Sequence, residues 1–182
     1  MNYKQQILAE IAKALNATDQ SQIQNMIERI HQSNSIFCDG LGRSSLAMRG
    51  FAMRLMQLGF QSSMVGEATS PALKQNDLLL ICTASGASPV LLYHAEQARK
   101  QGGRVAIITG NPTSPLASIA DDILLIQASN KDSSNSEKVS IQPMGSLFEQ
   151  TSLLICDTMA LMLMEQFDIT ADDMRKRHAN IE

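Results

Sequence analysis

The spacing of apolar positions changes along the chain from a helical repeat to short continuous runs. Ile7, Ile11 and Leu15 lie four residues apart and residues 20–32 repeat this spacing, which predicts two amphipathic helices. Apolar runs farther on predict strands at residues 35–38, 62–65, 77–82, 104–109 and 123–126. Further helices are predicted at residues 44–58, 89–101, 146–167 and 171–178, with short helices after Ser70-Pro71 and Ser114-Pro115.

This alternation of strands and helices predicts an α/β fold in which a parallel sheet carries helices on both faces. We expect a three-layer αβα sandwich with a five-stranded parallel sheet. The length of 182 residues suits one domain over residues 1–182, with helices at about 4–33 and 146–178 packed on it. Polar residues fill positions 127–140 and predict a long loop, of the kind that is usually functional or mobile.

Composition excludes several classes of protein. Hydrophobic residues make up 44% of the chain and charged residues 18%, which argues against wholesale disorder. The net charge of -3 and the lack of a basic block argue against nucleic-acid binding. The N-terminus is polar and shows no signal-peptide pattern. The most apolar stretch, residues 153–164, contains Asp157 and is shorter than the roughly 18 residues that a membrane span needs.

The cysteines are too few and too dispersed for a disulfide framework. Cys38, Cys82 and Cys156 each lie in or beside an apolar run, which is typical of reduced, buried thiols in a cytoplasmic protein. No cluster of cysteine and histidine predicts a metal site.

Two loops at predicted strand ends are rich in small polar residues. The first is Gly40-Leu41-Gly42-Arg43-Ser44-Ser45, and the second is Thr83-Ala84-Ser85-Gly86-Ala87-Ser88. Each opens a helix, so each offers free N–H groups and the positive end of a helix dipole to an anion. Each loop alone is also compatible with an ordinary strand–helix turn. Two such loops in one sheet favour a phosphate site, where Arg43 would add a full positive charge.

Glu149 permits two interpretations. It is a candidate general base at the mouth of this site. It also lies three residues after Ser146, the spacing of a capping box, and would then only cap the long helix. Among the other polar residues, we expect His31 to interact with a helix end, His94 to be a surface or interface residue, and Glu67 to be solvated. His178 lies in a basic terminal segment.

Several motifs together resemble a known family. Gly40-Leu41-Gly42-Arg43-Ser44, followed by Phe51-Ala52-Met53-Arg54-Leu55, resembles the first phosphate loop and helix of sugar isomerase (SIS) domains. The chain is most similar to the 6-phospho-3-hexuloisomerases. The segment from Gln142 to Gln150 and the ending His178-Ala179-Asn180-Ile181-Glu182 are specific to that family, and the match runs along essentially the whole chain. The family's second loop usually carries Glu where this chain has Ala87, a departure that bears on sugar specificity or rate.

The resemblance implies isomerisation of D-arabino-hex-3-ulose 6-phosphate to D-fructose 6-phosphate without a metal or redox cofactor. This is the second step of the ribulose monophosphate route of formaldehyde fixation. The family's base maps onto Glu149, and its substrate loops map onto Ser44 and residues 83–88. Arg43 would stabilise enediolate or phosphate charge, and His178 would shuttle a proton or open the ring.

Assembly and the competing functions also follow from the resemblance. It implies a homo-oligomer, a tetramer, for which the apolar helix around residues 153–164 is a suitable interface. We expect His178 to reach the site of a neighbouring subunit, because a short basic tail gains little from packing on its own domain. The alternatives are a non-catalytic phosphosugar-sensing SIS domain and another phosphosugar isomerase, such as one acting on arabinose 5-phosphate.

Overall fold

The computed structural model describes residues 2–128 and 140–181, so most of the predicted long loop, residues 129–139, lies outside the described residues. The helices are α1 (Tyr3–Asn16), α2 (Gln20–Gln32), α3 (Gly42–Leu58), α4 (Pro89–Lys100), α5 (Ser146–Gln166) and α6 (Ala171–Lys176). The strands are β1 (Ile36–Gly40), β2 (Ser62–Met64), β3 (Leu78–Thr83), β4 (Arg104–Thr109) and β5 (Asp122–Leu125).

The five strands form one parallel sheet in the order β2-β1-β3-β4-β5, which confirms the predicted fold class. β1 pairs with β3 along its full length, as far as Gly40 opposite Cys82. The chain leaves β1 toward β2 on one side and continues to β3 on the other side. The carboxyl ends of β1 and β3 therefore flank the point where strand order reverses, which is where such sheets bind ligands.

Alternate side chains of the sheet enter two cores. Ile36 and Cys38 of β1 belong to the larger core, which the sheet shares with α2, α3 and α5, whereas Phe37 enters the smaller core beneath α4. The long helix α5 packs against α3 and also contacts α1 and α2. By length and composition α5 is the one described helix that could cross a membrane, but half of the tested stretch is buried inside the domain, as in any core helix.

The prediction of short helices after Ser70-Pro71 and Ser114-Pro115 is wrong. Residues 65–77 form turns and irregular backbone. There the buried Asp77 carboxylate accepts the Lys74 N–H at 2.7 Å, and such a side-chain bond competes with helix formation. Residues 111–120 also form turns. The N–H of Leu116 donates to the Gly86 carbonyl at 3.1 Å in the neighbouring loop instead of continuing a helix.

Candidate functional site

The helices differ in how their N-termini are capped. The N-cap side chains of α1, α2 and α6 (Asn2, Asp19 and Thr170) each accept a backbone N–H of their own helix. The helices α3, α4 and α5 have no such side-chain bond at their N-caps. Of these, α3 and α4 begin at the carboxyl ends of β1 and β3. Their first N–H groups lack a side-chain cap and can meet an anion at the reversal point.

The first loop brings the start of α3 very close to β3. A Cβ atom on Gly40 would lie 3.1 Å from both the Cys82 carbonyl oxygen and the Ser45 nitrogen, so glycine permits this approach. Gly42 has φ +57, a conformation that glycine adopts without steric cost. The turn places Arg43 and Ser44 in the first turn of α3, where Ser44 is 8% exposed.

The second loop is held in shape by its own hydroxyls and by the loop after β4. The Gly86 N–H donates to Thr83 Oγ1 at 3.2 Å, and Gly110 N–H donates to the Ala84 carbonyl at 3.1 Å. Gly86 has φ +64, and a Cβ there would lie 2.1 Å from Ser114 Oγ. The loop conformation therefore requires glycine at position 86. Ser85 and Ser88 lie partly exposed along it, and Ala87 between them is exposed.

Glu149 lies beside the first loop, and the capping-box interpretation is wrong. The N-cap of α5 is Gly145, and Ser146 Oγ donates to the Pro143 carbonyl at 2.8 Å instead of capping the helix. Arg43 Nε lies 2.5 Å from Glu149 Oε2, a charge pair between the first turns of α3 and α5. The carboxylate side chain is 17% exposed and the arginine side chain 60% exposed.

Two buried oxygen atoms near the start of α5 make no hydrogen bond of good geometry within the described residues. Glu149 Oε2 contacts the Arg43 guanidinium as an ion pair but without hydrogen-bond geometry, and Gln150 Oε1 has no hydrogen-bond partner within the described residues. A buried acceptor without a donor is unfavourable unless a ligand supplies one. Gln150 was not among the candidate residues from sequence, because a glutamine on an apolar helix carries no distinctive local signal.

The floor of the site is a buried thiol. Cys82 interacts with the hydroxyls of Ser44 and Ser152 and with the charge of Glu149. Burial raises the pKa of the Cys82 thiol to about 11. Cys82 is therefore neutral near pH 7 and contributes no nucleophile. Ser44 and the charge of Glu149 both act on this thiol, so they lie near the end of β3.

The segment that contains His178 lies at the end of α3 that is opposite the two loops. Arg177 Nη1 donates to the Gln57 carbonyl at 3.2 Å, and its guanidinium packs over Gly59 at the end of α3. Glu149 contacts the opposite end of α3, at Arg43. The expectation that this terminal segment gains little from its own domain is therefore wrong. The structure does not bring His178 and Glu149 together in one chain.

Two other polar residues have partners that the sequence did not indicate. His94 Nδ1 lies 2.8 Å from Oδ2 of the buried Asp39, at the end of β1. His94, which we expected to be a surface or interface residue, is thus half-buried in this chain. Glu67 forms an ion pair with Arg49 rather than being only solvated.

Within the described residues no group of three or more His, Cys, Asp or Glu side chains is arranged to hold a metal.

Comparison with known proteins assigns this arrangement to a family. The SIS domain family matches residues 29–165. The chain belongs to the SIS domain family. It is 40% identical over 180 residues to the 3-hexulose-6-phosphate isomerase of Bacillus subtilis, covering 99% of this chain and 97% of the relative. It is 37% identical to the 3-hexulose-6-phosphate isomerase of Mycobacterium gastri, covering 95% and 86%.

A solved structure supports the same relationship. A Methanococcus jannaschii protein, whose crystal structure was taken to imply a 3-hexulose-6-phosphate isomerase, is 28% identical and covers 100% of both chains with a TM-score of 0.86. The predicted resemblance of this SIS domain to the hexulose phosphate isomerases is therefore confirmed at the level of family and fold.

Proposed function

We propose that this SIS domain is a 6-phospho-3-hexuloisomerase that interconverts D-arabino-hex-3-ulose 6-phosphate and D-fructose 6-phosphate. The observation that carries the proposal is the position of Glu149. Its half-buried carboxylate is paired with Arg43 in the first turn of α3 and lies beside two helix N-termini without side-chain caps. Relatives that carry the name of this activity align with nearly the whole chain.

The phosphate group is bound by the two loops. The N–H groups at the start of α3 and α4 and the hydroxyls of Ser44, Thr83, Ser85 and Ser88 surround the carboxyl ends of β1 and β3, and Ala84, Gly86 and Ala87 complete the second loop. Hydrogen bonds from such donors to a charged acceptor are stronger than neutral ones. The phosphate anchors the substrate, so that the sugar carbons extend toward α5.

The reaction moves a carbonyl group from C3 to C2 by proton transfer. Glu149 removes the proton from C2, and the electron pair forms the C2–C3 double bond of an enediolate. Protonation at C3 and transfer of the O2 proton to O3 complete the isomerisation. Arg43 is close enough to Glu149 to stabilise the negative charge that develops on the enediolate. A positioned base of this kind contributes about 10²–10⁴-fold to the rate.

A second subunit completes the site in this proposal. The outer faces of α3 and α5 expose Leu46, Met53, Leu153, Leu154 and Leu161, although the two helices pack against each other. Paired across a symmetry axis, these faces would bury apolar surface in a homo-oligomer, and we propose a tetramer. His178 then acts in the site of a neighbouring subunit, and the enzyme works in the cytoplasm in formaldehyde fixation through the ribulose monophosphate route.

The decisive experiment is a coupled assay for fructose 6-phosphate formed from the 3-hexulose phosphate. The wild-type protein is compared with Glu149→Gln, which keeps the size of the side chain and removes its basicity. We expect kcat to fall by about 10²–10⁴-fold with little change in melting temperature. Glu96→Gln, at an exposed position on α4, is the matched control and should keep full activity.

Three results would contradict the proposal. Full activity of Glu149→Gln would remove the base from the mechanism. A wild-type protein that binds the phosphosugar in calorimetry without converting it would instead identify a sensor domain. Conversion of arabinose 5-phosphate in place of the hexulose phosphate would identify a different isomerase.

A further inference from the structure

One carboxylate on α1 holds the segment that leads into α5. Glu10 Oε2 accepts hydrogen bonds from Ser140 Oγ at 2.6 Å and from Gln142 Nε2 at 3.0 Å. Glu10 Oε1 accepts the Ile141 N–H at 2.7 Å. Desolvation acts to raise the pKa of Glu10, but these three hydrogen bonds outweigh it and lower the pKa below its ordinary value. The carboxylate is therefore charged near pH 7, where its hydrogen bonds are strongest.

The segment that Glu10 holds includes a strained turn next to the catalytic carboxylate. Met144 has φ +57, an unfavourable conformation for a residue with a side chain, and its side chain is exposed. Such a conformation persists only where the surroundings fix it. On its C-terminal side the turn is fixed by Ser146, whose N–H and hydroxyl both donate to the Pro143 carbonyl. On its N-terminal side it is fixed by Glu10, which binds residues 140–142.

The turn sets where Glu149 lies. The Glu149 N–H donates to the Gly145 carbonyl at 3.0 Å, and a Cβ on Gly145 would lie 3.6 Å from Glu149 Oε1. A shift of residues 140–145 therefore moves the first turn of α5 and the carboxylate with it. Misplacement of a catalytic group by about 1 Å can reduce the rate by about 100-fold.

We propose that Glu10 is a positioning residue for catalysis: by binding residues 140–142 it holds the turn that places Glu149 against the substrate. This inference rests on the proposed function, in which Glu149 is the base. Glu10 itself does not touch the reacting atoms. The phosphate loops lie on α3 and α4, so loss of the Glu10 contacts should leave substrate binding intact and reduce the chemical step.

The test is the division of the effect between kcat and KM. Glu10→Gln replaces one acceptor oxygen with an NH₂ group that faces donors, and Glu10→Ala removes all three hydrogen bonds. We expect kcat to fall by about 10- to 100-fold in both variants while KM changes less than about threefold. Glu96→Gln is again the matched control on an exposed helix face. Ser140→Ala should lower kcat less than Glu10→Ala, and the double variant should fall no further than Glu10→Ala alone.

Hydrogen exchange of the segment separates this inference from the proposed function. In Glu10→Gln the Ile141 amide and its neighbours should exchange at least tenfold faster than in the wild type, whatever reaction the protein catalyses. If exchange is unchanged, or if kcat is unchanged, the positioning role is refuted. A rise in KM at constant kcat also refutes it. If the wild-type protein lacks isomerase activity, the proposed function fails. Hydrogen exchange then still tests the Glu10 contacts, because unchanged exchange in Glu10→Gln would show that Glu10 does not hold this segment.

Discussion

The structure predicts that a catalytic His178 serves a neighbouring subunit. Along α3, Ser44 and Gln57 are separated by about 20 Å, because a helix rises about 1.5 Å per residue. Glu149 lies at the Ser44 end, through its contact with Arg43, and Arg177 is bound to the Gln57 carbonyl at the other end. His178 follows Arg177 directly, so we infer that within one chain it lies toward the far end of α3 from Glu149 and does not reach a substrate that Glu149 contacts.

Mixed oligomers of two inactive variants test this arrangement. Glu149→Gln and His178→Ala chains are combined in equal amounts, subunits are exchanged, and the exchange is verified by native mass spectrometry. In a mixed pair, one of the two sites has Glu149 from one chain and His178 from the other, and that site is intact. Random pairing then restores activity to about one quarter of the sites. The assay is formation of fructose 6-phosphate.

Either of two results would refute the reasoning. Verified exchange without any recovery of activity would mean that both residues serve a site within one chain, despite their separation in the structure. Full activity of the His178→Ala protein alone would remove this residue from the mechanism. The control is a mixture kept under conditions without exchange, which should stay inactive.

Four further predictions concern the loops and the core. Ser44→Ala and Ser85→Ala should each raise KM by about 10- to 100-fold, because a lost hydrogen bond to a charged group is worth about 1.5–3 kcal/mol; unchanged KM in both variants would exclude the phosphate site. Gly86→Ala should raise KM and lower the melting temperature because its methyl group would overlap Ser114 Oγ, whereas Gly50→Ala, on α3 with no atom within 4 Å of the added Cβ, should not. The three buried thiols should react with Ellman's reagent only after unfolding. Since burial raises the pKa of Cys82 from 9.0 to about 11, its contribution to stability should be full below pH 9 and lost as the pH rises toward 11, a loss that Cys82→Ala should reduce.

Local sequence patterns were sufficient to predict the sheet. The apolar runs that became β3 and β4 are continuous because both faces of these strands are covered. Gly59 ends α3 in the left-handed conformation and Pro89 begins α4, as their residue types indicate. The observed bounds differ from the predicted ones by one or two residues at most strand ends. At the end of β1 the reason is that Asp39 and Gly40 still pair with β3, although their residue types are typical of a turn.

The contacts that define the site join residues far apart in sequence, and no local pattern contains them. Arg43 and Glu149 approach each other only because α3 and α5 pack side by side on one face of the sheet. The same holds for Asp39 with His94 and for Glu10 with Ser140. The spacing of Ser146 and Glu149 predicted a capping box that does not form. The serine hydroxyl instead donates to the Pro143 carbonyl, a contact outside the helix.

The replacement of the family's glutamate by Ala87 bears on the sugar more than on the phosphate. The exposed Ala87 side chain does not set the loop conformation, which depends on the close approach of Gly86 to Ser114 and on the bond from Gly86 N–H to Thr83 Oγ1. The Ala87 N–H donates to Ser85 Oγ at 3.4 Å, a contact that any side chain at position 87 would permit. A carboxylate there would have added negative charge beside a bound phosphate dianion. We therefore predict that this replacement leaves phosphate binding unchanged and removes one partner for the sugar hydroxyls, so that selectivity among phosphosugars would depend on residues of α5 such as Glu149 and Gln150.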